Sequence, residues 1–463
     1  MGWISNRRII ATAAGCLLLG VAALVVLLRN TGSHEIHRTH DPVNFPVVDA
    51  RPSSGDWPWW HGTTQTNTAP FERPPAQWSP GYGNGWVVPA DGRGRASLCI
   101  WGDQVFVPVS NETYESVSLQ SLDHATGRLL WQTEIHRGVP MPAHPRNALA
   151  SMAPACDGKH VYMVCPAGGS LWVTAIGMNG RIAWQREAGP YFSRWGYGSS
   201  PAIHKSLVIV AADNKGARIN RLVGSSYLAA MHRQTGEIVW RIHRPEADSF
   251  GTPVVAHIAG RDQLLMAGRD AICAYDPQTG DSLWTCRWPA DRVANSVAFD
   301  DQHVYASTRM PNPELLCIRA DGDGDVTNSH VVWRTNKSSG EYPSPVVFEG
   351  KLYMQGDDGV LSCLDPGNGQ PVWKRLLRGT MSTSPVIAGQ HLYCCNEEGT
   401  VFVIRLGGRG ELVAEVSMNE AIYASPVVSR NRLFLRTRSS LHCIAPIEDI
   451  PIVIQPDPPR RRF

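Results

Sequence analysis

The residues with chemistry to offer fall into a few groups, and each has an ordinary structural role to weigh it against. Asp321, Asp323 and Asp325 alternate like the start of a calcium loop. Such a loop needs Gly at its sixth position and a bidentate Glu at its twelfth, where this chain has Val326 and Val332. The stretch reads instead as a solvated hairpin. His34, Glu35, His37 and His40 invite a metal reading, but a zincin pair needs two His at i and i+4 on a helix, and this segment has no helix signals. Cys394 and Cys395 continue an apolar strand, where successive side chains point to opposite faces. Their Cα atoms are ~3.8 Å apart, below the usual disulfide range, so they read as two packed thiols. No C-x-x-C-H haem site and no paired C-x-x-C zinc site occurs. What remains is a scattered polar and aromatic set: Arg95, Arg146, Arg194, Trp195, Tyr197, Asp248, Asn295, Glu341 and Tyr342. It has meaning only if the fold gathers it.

The elements that would gather it repeat along the chain. DHATGRLLW, GMNGRIAW, HRQTGEIVW, DPQTGDSLW and DPGNGQPVW each place Gly four residues before Trp, at Gly127/Trp131, Gly180/Trp184, Gly236/Trp240, Gly280/Trp284 and Gly369/Trp373. A glycine after a polar pair suits the positive φ of a tight turn, and the apolar run through Trp forms the outgoing strand. A sixth copy carries Trp333 behind an enlarged turn, and a seventh keeps Gly410 but has Ala414 in place of Trp.

Upstream of each hairpin a small residue opens a short apolar strand. These starts are Ser97, Ala153, Ser200, Thr252, Ser296, Ser344, Ser384 and Ser425, at blade-like intervals. With a middle hairpin between the two signals, each unit holds four short strands. Eight such units predict an all-β, eight-bladed propeller. The last unit lacks an outer strand, and NGWVVP, with Trp86 in the repeat Trp position, is expected to supply it and close the ring. Trp131, Trp184, Trp240, Trp284, Trp333 and Trp373 are read as wedges between blades, since an indole buries on the order of 200 Å². Cys273, Cys317, Cys363 and Cys443 are read as one repeated buried position on the third strand.

These residues resemble the PQQ-like β-propeller repeat, with its Asp-x-x-Thr-Gly-x-x-x-Trp motif. Asp123, Thr126, Gly127 and Trp131 match in full, as do Asp276, Thr279, Gly280 and Trp284. The opening WPWWHG at residues 57–62 is similar to the WPxxRG start of anchored bacterial proteins with this repeat, with His61 in place of Arg. The resemblance implies two different activities. One is a quinoprotein dehydrogenase holding PQQ and Ca²⁺ on the propeller axis, with Asp248, Glu341 and Asn295 as the oxygen donors here. The other is a non-catalytic role like that of the propeller component of the outer-membrane β-barrel assembly machinery. A vicinal disulfide against the quinone, which the first would permit, is the competing reading of Cys394-Cys395.

Composition narrows the field. The 463 residues include 16 Trp, 43 Gly and 34 Pro, and 43 Lys+Arg against 41 Asp+Glu leave a net charge of +2. So balanced a chain, with 18% charged residues, offers no field for nucleic acid. Residues 9–28 carry no charge and are flanked by Arg7, Arg8 and Arg29, long enough for a membrane-spanning helix with the bulk of the chain outside the cytoplasm. A cleaved signal peptide is the alternative.

The domain plan is then a cytoplasmic flank (1–8), a transmembrane anchor (9–28), a stalk (29–55), the propeller (56–446) and an extended tail (447–463). Because the loops feeding the inner strands are rich in Arg and aromatics and poor in carboxylates, a periplasmic, membrane-tethered scaffold for a protein partner is favoured, with no cofactor or metal. The PQQ- and calcium-dependent oxidoreductase and a carbohydrate-binding propeller are the alternatives.

Overall fold

The computed structural model describes residues 36–38 (backbone only), 49–79, 85–90, 92, 95–113, 115–138, 147–193, 195–214 and 226–446. The flank, the anchor, most of the stalk and the tail lie outside them, as do Arg146 and Arg194. Among the described residues no helix is long and apolar enough to cross a membrane.

The chain folds into eight antiparallel blades. Blade one is Cys99–Trp101, Gln104–Asn111, Ser116–Asp123 and Leu129–His136. Blades two to seven repeat that order from Ala155–Cys156, Ala202–His204, Val254–Ile258, Ala298–Phe299, Val346–Phe348 and Val386–Ala388. Blade eight takes Val427–Ser429, Arg432–Arg436 and Ser440–Ile444 from the end of the repeats and Trp86–Pro89 from before them. Trp86 lies opposite Cys443 as Trp373 lies opposite Cys363, so the early strand fills the outer place of the last blade. The ring closes and leaves no unpaired edge between its first and last blades.

Each turn of the motif is built by its own residues. Asp123 Oδ1 accepts the Thr126 amide at 2.8 Å and the Thr126 hydroxyl at 2.6 Å, which folds the chain back on itself. Gly127 then takes φ +72°, and a Cβ there would come within 2.6 Å of the Trp86 ring. The glycine of one blade is thus the seat for the Trp of the preceding one. Gly180 faces Trp131, Gly236 faces Trp184, Gly280 faces Trp240, Gly369 faces Trp333 and Gly410 faces Trp373 in the same way. Five of these indoles also donate to a carbonyl of the turn they enter: Trp86 to His124, Trp131 to Met178, Trp184 to Arg233, Trp240 to Pro277 and Trp333 to Pro366, at 2.7 to 3.3 Å.

The junction of blades four and five departs from this rule. Trp284 donates to Gln263 Oε1 at 2.8 Å within its own blade. The enlarged turn before Trp333 swings across, and Gly324–Asp325 pairs parallel with Trp284 and Thr285 as a fifth strand of blade four. Its acids separate, each to its own arginine: Asp321 to Arg319, Asp323 to Arg261 and Asp325 to Arg287, at 3.0 to 3.3 Å. Blade three also gains a strand, because Ile36–Arg38, in the stretch expected as a stalk, pairs antiparallel with Ile238–Arg244. A free strand edge needs only extended backbone to satisfy it, so no apolar periodicity announced this pairing.

The cysteine reading needs one correction. Cys317, Cys363 and Cys443 lie opposite Trp333, Trp373 and Trp86, but in blade four it is Ala274 that faces Trp284, and Cys273 faces Thr285. One residue of offset puts Cys273 on the other face of its strand. Cys394 and Cys395 are fully buried free thiols on opposite faces of theirs, in two different core clusters.

Candidate functional site

Why the repeat begins on Ser or Thr is visible at the axis, where each hydroxyl reaches back to the equivalent residue of the preceding blade. Ser200 Oγ accepts from the Ala153 amide, Thr252 Oγ1 from Ser200, Ser344 Oγ from Ser296, Ser384 Oγ from Ser344 and Ser425 Oγ from Ser384, all at 2.9 to 3.0 Å. Ser296 Oγ donates to the Thr252 carbonyl at 3.2 Å and Ser97 Oγ to that of Ser425 at 3.1 Å. A belt of hydrogen bonds encircles the channel, broken where blade two begins with Ala153.

One end of the channel is covered by an N-terminal strap. Trp57 exchanges backbone hydrogen bonds with Ile100 of blade one, and Gln65 Oε1 accepts from the Val255 amide of blade four at 2.9 Å. Thr68–Ala69 runs parallel to the inner strand of blade seven, and the Arg73 amide donates to Asn431 Oδ1 of blade eight at 2.6 Å. Between these anchor points Trp60 enters the axis, its indole donating to Ser296 Oγ at 3.1 Å. His61 follows at φ +66° with its ring stacked on Trp60 at 4.6 Å, and burial draws its pKa down to about 3. The strap converts a through-channel into a blind one.

The other end opens as a funnel of about 560 Å³ above a neck of about 130 Å³. Of the residues expected at a site, Arg95, Trp195, Asp248, Glu341 and Tyr342 line it. Tyr197 does not; it is buried, with its hydroxyl donated to the Ala211 carbonyl at 2.9 Å. Asn295 does not either; its buried amide donates to the Gly340 carbonyl at 2.9 Å and fixes the turn that carries Glu341. Sequence reasoning missed Arg269, Asp291, Arg292, Met310 and Glu397. Arg269, Met310 and Glu397 sit on turns between second and third strands. In an antiparallel blade those turns emerge on the same side as the loops feeding the inner strands, so the strand order itself was the signal.

Inside the funnel most charges are already matched. Arg292 meets Glu341 at 2.5 Å, Arg269 lies 3.8 Å from Asp291, and the Arg95 guanidinium lies 3.8 Å from the centre of the Tyr423 ring. The Glu341 and Tyr342 amides donate to the Asp357 carboxylate at 3.0 to 3.1 Å, and burial raises the pKa of that carboxyl. Of the three oxygen donors expected for Ca²⁺, Asp248 and Glu341 line the funnel and Asn295 does not. The Asn295 amide nitrogen is tied into its turn while its Oδ1 is buried without a partner, and Glu341 is held by Arg292. Among the described residues no three His, Cys, Asp or Glu side chains group as a metal centre would need.

Eight four-stranded units, six of their junctions locked by Trp on Gly, around a hydroxyl belt define an eight-bladed β-propeller. Residues 224–326 and 322–406 match the family described as outer membrane protein assembly factor BamB. Two relatives of that description are similar over most of their length. The protein of Yersinia pestis is 22% identical across 69% of this chain and 78% of its own, and that of Burkholderia pseudomallei (strain K96243) is 24% identical across 78% and 85%. Among solved structures, BamB from Moraxella catarrhalis superposes with a TM-score of 0.55 at 16% identity, covering 77% of this chain and 98% of its own. Quinohemoprotein alcohol dehydrogenase from Comamonas testosteroni gives 0.57 at 12% identity, covering 84% and 80%. At such identities these structures speak for the fold alone, since one fold hosts many functions.

Proposed function

We propose that this propeller is a non-catalytic scaffold of the cell envelope, engaging a protein partner through its open funnel face. One observation carries the reading: Arg292 is paired with Glu341 and Arg269 with Asp291 at the mouth, among aromatic side chains, so the face offers aromatic and charged contacts to a partner. Relatives described as outer membrane protein assembly factors support it. Residues 9–28 are assigned as the membrane anchor, with residues 1–8 on the cytoplasmic side, the propeller on the periplasmic side and residues 447–463 as an extended tail. The strap occupies the opposite face, which leaves the funnel side for docking. Arg and aromatic side chains dominate binding hot spots, and Arg95, Trp195 and Tyr342 provide them here; Arg146 and Arg194 join them in this proposal.

The test is site-specific photo-crosslinking in membranes of the source cell, with the probe at Tyr342 on the funnel side or at Arg73 on the strap side. An envelope protein captured from Tyr342 and not from Arg73 supports docking at the funnel. Capture from neither, or sustained dye reduction on alcohols or sugars after loading with PQQ and Ca²⁺, overturns the scaffold reading.

A further inference from the structure

The blind funnel contains polar groups that the protein itself leaves unused. Among the described residues Asp248 makes no hydrogen bond or ion pair, and the Ser382 hydroxyl oxygen is out of reach of solvent and has no partner. Both line the funnel. Elsewhere on its wall Arg292 is matched to Glu341 and Arg269 to Asp291, while Trp195, Phe250 and Tyr342 bring aromatic side chains to it and the Trp60 indole closes its floor. The volume is that of a small-molecule site, for which ~300 to 1,000 Å³ is usual.

From these facts we infer that the funnel binds a short oligosaccharide, with Asp248 accepting hydroxyl hydrogens of the sugar and Trp195, Phe250 and Tyr342 covering its C–H faces. The choice follows by chemistry. An apolar ligand would bury Asp248 without a partner, which is costly for a polar group and most costly for a charged one. A strongly ionic ligand would have to displace ion pairs already formed, giving back much of what it gained. A polyol donates hydroxyl hydrogens, so it satisfies an acceptor-only carboxylate and leaves the Arg292–Glu341 pair intact. Its ring faces are apolar enough to desolvate against aromatics. This goes beyond the scaffold reading and needs no protein partner.

The test is calorimetric titration of the full-length protein in detergent with chitobiose, cellobiose, maltotriose and the N-acetylglucosamine–N-acetylmuramic acid disaccharide. Trialanine, and PQQ with Ca²⁺, serve as comparison ligands. We expect at least one saccharide to bind at millimolar concentration or below. Asp248→Asn and Trp195→Ala should each weaken it by about tenfold, the scale of one hydrogen bond to a charged group. The exposed outer-strand variant Leu376→Ser should bind as the parent does, and thermal melting verifies that all variants remain folded. Saturable binding of trialanine or PQQ in place of every saccharide overturns the inference. So does saccharide binding that Asp248→Asn leaves unchanged, or no binding by any of the four sugars.

Discussion

The indole of Trp60 donates to Ser296 Oγ at 3.1 Å, joining a residue that precedes the first blade to the hydroxyl belt of the fifth. This contact makes the channel blind. Trp60→Ala should remove the plug and cost about 2 kcal/mol, below the ~3 to 5 of a fully buried Trp because the ring is only half-buried. Chemical denaturation measures the loss, and protease nicking within residues 56–78 should accelerate with it. An unchanged midpoint would show that the strap is held by its other anchor points.

Ring closure makes the front of the chain indispensable. A chain starting at Arg95 lacks Trp86–Pro89 and leaves Ser440–Ile444 as an open edge. It should aggregate or melt without a single cooperative transition, as followed by calorimetry and light scattering. Trp86→Ala, which keeps the backbone ladder, should fold with a lowered melting temperature.

The hydroxyl belt predicts effects of opposite sign. Ser344→Ala strands the buried Ser296 amide and should cost about 1 to 3 kcal/mol. Ala153→Ser supplies the hydroxyl missing between blades one and two and should add about 1 kcal/mol. Urea unfolding of the two variants beside the parent decides both, and a destabilised Ala153→Ser would mean that the gap is filled by packing.

Acid should loosen the fold through buried imidazoles. Burial draws the pKa of His61 down to about 3, and burial with neighbouring arginines draws His124 to about 4. Each ring is neutral when folded, whereas the unfolded chain takes a proton near pH 6.5. The stability they contribute is therefore present above pH 6.5 and is lost as the pH falls from there towards 3 or 4. For His61 alone the loss between pH 6.5 and 5 is about 2 kcal/mol at ~1.4 kcal/mol per unit. His61→Asn, which tolerates the positive φ, should flatten the pH dependence of the unfolding free energy by about one proton.

The sequence displayed the architecture because the motif is local. Asp, Thr, Gly and Trp of one hairpin build one turn, so spacing alone counts the blades and reveals that Trp86 completes the last. What it hid depends on distant partners. Nothing in WPWWHG says that Trp60 will meet a serine over two hundred residues on, and nothing near Asn295 shows that its amide will be spent on Gly340. The funnel was half legible. Loops entering the inner strands were recognised, giving Arg95, Trp195, Asp248, Glu341 and Tyr342, while the turns carrying Arg269 and Glu397 were overlooked on the same side. Cys273 shows the remaining hazard, since a one-residue offset that composition cannot reveal reverses a side chain.

The strap bears on how the protein acquires its structure. Its anchor points on blades one, four, five, seven and eight do not exist together until the end of the chain has been made. The segment synthesised before any blade must therefore wait and dock after all of them. Such long-range closure slows folding and keeps an aromatic-rich stretch uncovered in the meantime. Unfolding of the disc has to release those five contacts as well, although the segment contributes only one short strand to any blade.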